Sequence, residues 1–355
     1  MKGDSHSIHN CIKLVGLAKK KDAREEKNMK YAKIVSSGMY VPQKVMTNAE
    51  FEKLTMLTID PYYSDVIGIN HRHISEDWET PTYMAAEAAK KALQRIGMQP
   101  EEIGLIIVGT DTPEAVSPPD APRVQYLIGA HKAETMAFNV NASCANGALL
   151  LDIAAKYIAM GDCKNVLVIG TYAMTKFLNW KYAWEALFSD GAAALIVSAS
   201  DEPGYIGSVS RADGSWWQNW GIYMGAGTMN LQGIERGLHK LDLRGAYPAS
   251  VNDEGWPNLL NKLIEKYNIP KDEIAMVFFT QVRKKTILKV MDTIGLPIEK
   301  TQIVMDKFGY TGSACVYMAY DDAYDEGKLE NISGKYILFL TSGVGFQQVA
   351  VAFKA

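Results

Sequence analysis

The strongest constraint on the fold is a set of short apolar segments that alternate with helix-like segments. Residues 103–110 and 165–170 are apolar on both faces, as expected of strands in the middle of a covered sheet. Residues 81–96 have the alanine-rich spacing of a helix and precede the first of these strands. This alternation predicts an α/β fold in which helices cover both faces of a largely parallel sheet.

The C-terminal part of the chain repeats the same order of elements. We expect a helix over residues 256–267, a strand over 274–280 and a closing hairpin over 335–353. The strand, cysteine and helix around Cys144 have a weak echo around Cys315. The repetition indicates an ancient duplication of one core.

The predicted organisation is therefore two similar halves behind an N-terminal extension. The halves span residues 29–204, which contain the nucleophile candidate described next, and residues 205–355. Residues 1–28 are predicted to form a flexible extension, because their charged stretch 19–27 offers little to bury.

Cys144 is the residue that most directly suggests chemistry. Residues 136–143 favour an extended strand, and residues 148–159 have long apolar helix formers without proline. The cysteine is thus predicted in the first turn of a helix, where free N–H groups and the macrodipole stabilise an anion. A thiol there would ionise easily and act as a nucleophile. The alternative is a buried cysteine that only packs, which is the more usual role of this residue.

Composition excludes several classes of protein. The 355 residues include 37 basic and 40 acidic side chains, for a formal net charge of −3, so no nucleic-acid partner is expected. The four cysteines are widely spaced and form no metal-ligand cluster with the histidines. No apolar run is long enough to span a bilayer. A reduced, cytoplasmic setting is expected.

Residues 212–227 form a glycine-rich, polar stretch that contains three tryptophans. Long loops with aromatic clusters often line a pocket. The alternative is a loop packed on the surface or against a dimer partner, and the sequence leaves both possibilities open.

Five motifs then occur in a characteristic order. They are GINHRHI at 68–74, NASCANG at 141–147, FSDGAAA at 188–194, GYTGSA at 309–314 and SGVGF at 342–346. By these motifs and their spacing, the chain from about Met29 onward resembles the β-ketoacyl-acyl-carrier-protein synthase III group of the thiolase superfamily.

The resemblance implies a fold, a nucleophile and a substrate class. The fold would be a thiolase-like, duplicated, five-layered α-β-α-β-α core that forms a homodimer. Cys144 would take an acyl group from a coenzyme A (CoA) or acyl-carrier-protein phosphopantetheine thioester, with no metal and no permanently bound cofactor. The backbone N–H groups of Cys144 and Gly345 would form the oxyanion hole. Glycine at position 345 would let the backbone approach closely.

Two other catalytic positions depart from the resembling enzymes. Thr280 stands where they have histidine, and Tyr310 stands where they have asparagine. Both residues can donate hydrogen bonds, but neither can act as an imidazole near neutral pH. We therefore expect acyl capture at Cys144 without efficient decarboxylating condensation. His239 and Glu114 are candidates to replace the lost acid–base group, or they are ordinary surface or core residues.

The predicted entrance to the pantetheine tunnel also differs. Tyr62, Val66 and Tyr182 stand where the family commonly has a tryptophan and two arginines that clamp the adenine and phosphates of CoA. The difference predicts another acyl carrier or acceptor. Arg283 and Lys285, together with the intervening lysine, could contact an acidic carrier protein or a phosphopantetheine phosphate. The alternative is a solvated basic start of a helix.

Two functional hypotheses follow from these residues. In the first, the chain is an acyltransferase or condensing enzyme of fatty-acid-like or secondary-metabolite biosynthesis that passes the acyl group from Cys144 to a second substrate. In the second, it is a catalytically silent subunit of a heteromeric ketosynthase, paired with an active homologue. Cys144 and the segment Gly343–Gly345 favour the first hypothesis, whereas Thr280 and Tyr310 favour the second.

Overall fold

The fold is known from a computed structural model that describes residues 31–248 and 250–355. The extension predicted over residues 1–28 lies outside the described residues. Within the described ranges, no helix combines the length and apolar character needed to cross a membrane.

Thirteen strands are present in the described ranges, and most of them belong to two sheets. The strands are β1 (Tyr31–Tyr40), β2 (Val45–Thr47), β3 (His71–His73), β4 (Leu105–Gly109), β5 (Met136–Val140), β6 (Asn165–Tyr172), β7 (Gly191–Ser200), β8 (Tyr205–Ala212), β9 (Trp220–Gly221), β10 (Asp242–Leu243), β11 (Ile274–Phe279), β12 (Tyr336–Gly343) and β13 (Gln347–Lys354). The first sheet has the order β1-β7-β6-β4-β5, and the second has the order β11-β12-β13-β8. The pairs β2–β3 and β9–β10 are short ribbons.

The helices form three layers around these sheets. They are α1 (Asn48–Thr55), α2 (Pro81–Ile96), α3 (Asp120–Ile128), α4 (Asn146–Met160), α5 (Leu231–Glu235), α6 (Ser250–Asp253), α7 (Gly255–Lys266), α8 (Lys284–Ile294), α9 (Met305–Phe308) and α10 (Cys315–Asp325). Helices α4 and α10 contact both sheets and lie between them, α2 and α3 cover the outer face of the first sheet, and α7 covers that of the second and packs on α8. The predicted five-layered α-β-α-β-α architecture is confirmed.

Both sheets are mixed, and the prediction of a largely parallel sheet was wrong. Strand β4 pairs in parallel with β5 and β6, but β7 is antiparallel to both β6 and β1. The connection from β6 to β7 contains only short 3₁₀ turns. Parallel neighbours are usually joined by a crossover helix, and residues 173–190 contain no α-helix, which agrees with the antiparallel return. The predicted closing hairpin is confirmed as the antiparallel pair β12–β13.

The two central helices are largely buried because they are covered from both sides. Helix α4 buries residues such as Leu150, Leu151 and Ala154. At its N-terminal end, a Cβ built on Gly147 would lie 2.2 Å from Val316 Cγ1, so glycine is what lets α4 and α10 approach so closely. This contact brings the beginnings of both helices, one from each half of the chain, to the same place.

Candidate active site

Cys144 lies in a tight turn between β5 and α4, as predicted. The turn is the 3₁₀ segment Ser143–Ala145, which leads directly into α4. Ser143 has φ of 50°, in the left-handed region that costs energy for a residue with a side chain. Two asparagines hold this conformation, because Asn141 Oδ1 accepts from the Ser143 N–H at 3.0 Å and Asn146 Oδ1 accepts from the Ala142 N–H at 2.9 Å.

The closing hairpin packs directly against this turn. A Cβ on Gly343 would lie 2.3 Å from the carbonyl oxygen of Ala142 and 2.9 Å from the amide nitrogen of Ala145, so no larger residue fits. Thr341 Oγ1 donates to the carbonyl oxygen of Ala145 at 2.9 Å. The C-terminal half thus fixes the position of the cysteine-bearing turn.

Cys144 borders a cavity of about 540 Å³, which is a typical size for a ligand site. Cys144 itself is only 5% exposed. Thr280, Tyr310 and Gly345 also line the cavity, so the structure brings together all four residues predicted for catalysis and the oxyanion hole. Much of the remaining wall is apolar and includes Ile67, Leu187, Phe188, Trp217, Trp220, Ile222, Leu241 and Val282.

The Cys144 thiol is not acidic, contrary to the expectation from its position at a helix start. Burial raises its pKa well above the ordinary value, and the nearby Asp111 raises it further. The hydroxyl of Tyr310 donates to the sulfur and lowers the pKa, but this effect is smaller. The largest effect on this thiol is therefore the cost of placing an anion in a dry, partly apolar site.

Asp111 is a site residue that the sequence analysis missed. It lines the cavity, and burial raises its pKa to about 6. Ser313 Oγ lies 3.4 Å from its Oδ1 and donates to it. The signal was present in the sequence, since Asp111 comes two residues after strand β4 and Cys144 four residues after its parallel neighbour β5. The carboxyl ends of parallel neighbours share an edge of the sheet, where ligands commonly bind.

A hydrogen bond positions Thr280, whereas ring packing positions Tyr310. Thr280 Oγ1 accepts from the Ser342 N–H at 3.0 Å, at the end of β11. The Tyr310 ring packs against Tyr172 and Phe188, with centroid separations of 6.2 and 5.8 Å. Burial raises the pKa of Tyr310 well above its usual value, so this hydroxyl remains a hydrogen-bond donor at physiological pH.

The N–H of Gly345 is already engaged. It donates to the hydroxyl of Tyr247 at 3.0 Å, and Tyr247 also lines the cavity. The ring of Tyr247 stacks on Trp216 at a centroid separation of 5.5 Å. An oxyanion could use the Gly345 amide only after this hydroxyl moves away.

Two of the predicted tunnel residues lie on the cavity and three lie elsewhere. Tyr62 and Arg283 line it, and the Arg283 guanidinium is 5.9 Å from the centre of the Tyr62 ring. Val66, Tyr182 and Lys285 are outside its wall, so their prediction as pocket residues is not supported by the geometry. Tyr182 is 51% exposed and stacks on a neighbouring tryptophan, and Lys285 is exposed.

The tryptophan-rich stretch contributes to the cavity, which favours the first of the two interpretations given above. Trp217, Trp220 and Ile222 belong to the wall. The candidates for a substitute acid–base group, His239 and Glu114, do not line the cavity, and Glu114 forms an ion pair with Arg123.

Arg283 has a polar atom that its neighbours leave unsatisfied. Its Nη1 donates to Thr286 Oγ1 at 3.2 Å and lies 3.6 Å from Asp253 Oδ1. Among the described residues, its Nε is buried without a hydrogen-bond partner. No group of three or more His, Cys, Asp or Glu side chains in residues 31–248 and 250–355 is arranged to hold a metal ion.

The five layers and the cysteine-bearing turn define a thiolase-like fold, and solved structures agree. The 3-oxoacyl-acyl-carrier-protein synthase III of Aquifex aeolicus superposes with a TM-score of 0.81 at 29% identity, covering 91% of this chain and 100% of that one. A priming β-ketosynthase of a polyketide biosynthetic pathway superposes with a TM-score of 0.83 at 25% identity, covering 92% and 96%.

Sequence comparisons identify the family. Residues 138–214 match the family model of 3-oxoacyl-acyl-carrier-protein (ACP) synthase III, and residues 264–355 match that of its C-terminal part. The β-ketoacyl-acyl-carrier-protein synthase III of Coxiella burnetii is 31% identical over 328 residues, which span 92% of this chain and all of that protein. The chain belongs to the β-ketoacyl-acyl-carrier-protein synthase III family.

Proposed function

We propose that this chain is an acyltransferase or condensing enzyme that works in two steps through Cys144. The observation that carries the proposal is the position of Cys144 on the wall of a largely apolar cavity that Thr280 and Tyr310 also line. In the first step the sulfur attacks the carbonyl carbon of an acyl-CoA or acyl-carrier-protein thioester. The carbon–sulfur bond of the donor breaks, and the proton of the Cys144 thiol ends on the departing thiol.

The raised pKa of the thiol shapes this step. Because Cys144 is neutral in the resting site, ionisation has to accompany attack on the bound thioester. The amide of Cys144 and that of Gly345, once Tyr247 has moved, would stabilise the developing oxyanion. Tyr310, which donates to the sulfur, would stabilise the thiolate as it forms and as it leaves in the second step.

Decarboxylating condensation fits this site less well. Thr280 and Tyr310 offer hydroxyl groups where the resembling enzymes have imidazole and amide. The loss of a positioned acid–base group costs about 10²–10⁴-fold in rate. Since the relatives are named as β-ketoacyl-acyl-carrier-protein synthases and a priming ketosynthase, we place the chain in fatty-acid-like or secondary-metabolite biosynthesis.

The test is the intact mass of the protein after mixing with acyl-CoA and acyl-carrier-protein donors of short, medium and long chains. We expect an acyl adduct on the wild type that is absent from Cys144→Ala. Cys163→Ala is the matched control, because this cysteine is only partly buried, lies outside the cavity and should not affect the adduct. An adduct that survives in Cys144→Ala would refute the assignment of the nucleophile.

A second candidate is a silent subunit that supports an active homologue. Two observations favour it, the raised pKa of Cys144 and the occupied N–H of Gly345. In this case the chain alone would form no adduct with any donor. Co-purification with an active homologue, and a faster rate of that homologue in the complex, would establish the heteromer. The first candidate would instead act as a homodimer, which light scattering would measure.

A further inference from the structure

Asp111 is an acidic group of the cavity that the acyl-capture step does not use. Among the described residues that line the cavity, it is the single carboxylic acid. It lies beyond the carboxyl end of β4 and is linked to the cysteine-bearing turn through Ser313. Ser313 Oγ lies 3.4 Å from Asp111 Oδ1 and 3.1 Å from the carbonyl oxygen of Ser143.

The charge on Asp111 selects among second substrates. It raises the pKa of the Cys144 thiol and of the Tyr172 hydroxyl, so a further anion close to Asp111 is disfavoured. The carboxylate of a malonyl group and the enolate formed from it are such anions. A neutral acceptor with an O–H or N–H bond carries no such penalty and requires a base to remove its proton.

We propose that Asp111 is the general base of the second step, taking the proton of a neutral hydroxyl or amine acceptor as that acceptor attacks the acyl group on Cys144. The inference depends on the proposed function, because it requires an acyl group on Cys144. It identifies the acceptor as an alcohol or a weakly basic amine, with water as the competing side reaction.

A lone pair of the acceptor oxygen or nitrogen forms the bond to the acyl carbon, and the acceptor proton passes to the Asp111 carboxylate. The bond between that carbon and the Cys144 sulfur breaks, and its electron pair stays on the sulfur. Asp111, now neutral, no longer repels the thiolate. Its proton returns to the sulfur, which restores the starting thiol and carboxylate.

The pKa values of Asp111, Cys144 and Tyr172 fit this order of proton transfers. Asp111, with a pKa of about 6, is ionised at neutral pH and has the base strength best matched to it. The pKa values of Cys144 and Tyr172, the titratable groups that face it from the cysteine turn and from β6, are well above the ordinary values. Ser313, which faces it from the turn before α10, does not titrate. Asp111 is therefore the group that changes charge near pH 6.

The experiment follows the loss of a preformed acyl adduct from Cys144 in water, 1-butanol, aniline and hydroxylamine. Hydroxylamine attacks thioesters without needing a base and reports whether the adduct is accessible. In Asp111→Asn, we expect the adduct to form at least as fast as in the wild type, because an opposing charge is gone. Loss to water, 1-butanol and aniline should slow by about 10²–10⁴-fold, and loss to hydroxylamine by less than about 10-fold.

Two further readouts separate catalysis from structure. In Asp111→Ala, added formate should restore part of the loss to 1-butanol, because a small carboxylate can occupy the vacated space, whereas Asp111→Asn should not respond. In the wild type, the rate of adduct loss to 1-butanol should rise with pH and level off above about pH 6. This pH dependence should disappear in Asp111→Asn.

The outcomes are distinguishable. Wild-type rates for all acceptors in Asp111→Asn would overturn the role of Asp111. An equal slowing with all four, hydroxylamine included, would also overturn it and indicate a structural effect. If the wild type itself forms no adduct with any donor, the proposed function fails, and the inference fails with it.

Discussion

The two turns at the beginnings of α4 and α10 have the same form and opposite roles. Ser143–Ala145 precedes α4 and Gly312–Ala314 precedes α10. Each turn starts with a residue of positive φ, 50° at Ser143 and 44° at Gly312. The matching positions are therefore Cys144 and Ser313, and the echo around Cys315 seen in the sequence is displaced by one residue.

The two turns differ in the surroundings of the middle side chain. Cys144 borders the cavity, whereas the single hydroxyl proton of Ser313 is shared between Asp111 Oδ1 and the carbonyl oxygen of Ser143, and Ser313 Oγ accepts from Asn146 Nδ2 at 3.1 Å. One turn thus places a cysteine on the cavity wall, and the other turn supports the residues around it. The two turns therefore share a backbone conformation, and their different roles depend on the middle side chain, which is Cys144 in one turn and Ser313 in the other.

The largest expected effect is the difference in acyl capture between alanine substitutions of Cys144 and Cys315. Cys144→Ala should abolish the acyl adduct and reduce transfer by at least about 10⁴-fold, as expected for loss of a nucleophile. Cys315 is buried, and the Gln281 N–H donates to its sulfur at 3.4 Å. Cys315→Ala should keep capture within a few fold and lower the free energy of unfolding by about 1–3 kcal/mol. Intact mass measures the acyl adduct, and denaturant titration measures the free energy of unfolding. An equal loss of acyl capture in Cys144→Ala and Cys315→Ala would contradict the different roles of the two cysteines.

The next effect concerns the support of the reactive turn by the hairpin. Gly343→Ala places a Cβ against the carbonyl oxygen of Ala142 and should lower the free energy of unfolding by about 1–3 kcal/mol. The rate of acyl capture should fall by roughly 10²-fold, because a small displacement of the nucleophile is enough. Gly214→Ala, whose Cβ would meet nothing within 4 Å, is the control. Capture at the wild-type rate in Gly343→Ala would show that the contact is dispensable.

A third prediction tests the hydroxyl that joins the turns. The bond from Ser313 lowers the pKa of Asp111, so Ser313→Ala should raise it above about 6. The fraction of ionised Asp111 at pH 6 then falls, and loss of the adduct to alcohols should slow there but recover at higher pH. A rate profile against pH measures the midpoint. A midpoint that stays in place would mean that Ser313 has no influence on this carboxylate.

The smallest effect is expected at the cavity wall away from both turns. Arg283→Ala should raise the KM for acyl-CoA roughly 10-fold with little change in kcat, since a hydrogen bond to a charged group contributes about 1.5–3 kcal/mol. Lys285→Ala, on the exposed face of α8, should change KM less than about 2-fold because solvated charges contribute little. Steady-state kinetics give the KM of both variants for acyl-CoA. A larger increase in KM for Lys285→Ala than for Arg283→Ala would mean that the phosphate of acyl-CoA does not bind at Arg283.

Much of the fold could be predicted from the sequence, because its signals are local. The helix over Pro81–Ile96 and the hairpin of β12 and β13 follow from apolar spacing. The turn at Cys144 follows from a strand that runs into small residues and a helix. The antiparallel β7 was missed, since strand direction depends on the connection that precedes it rather than on the strand's own residues.

The electrostatics of the site could not be predicted in the same way. The raised pKa values of Cys144 and Asp111 result from burial, which depends on residues far apart in the chain. The bond from the Gly345 N–H to Tyr247 likewise joins residues 98 positions apart. Family resemblance identified the residues that match a motif, and it could not identify Asp111, which belongs to none of the five motifs.

The hydroxyl of Ser313 has a consequence for how this enzyme can change over time. Cys144 comes from the N-terminal half, while Thr280, Tyr310 and the Ser313 hydroxyl beside Asp111 come from the C-terminal half. Neither half carries all of these residues, so the two halves cannot form this site as independent units. Selection acts on the pair as one gene product.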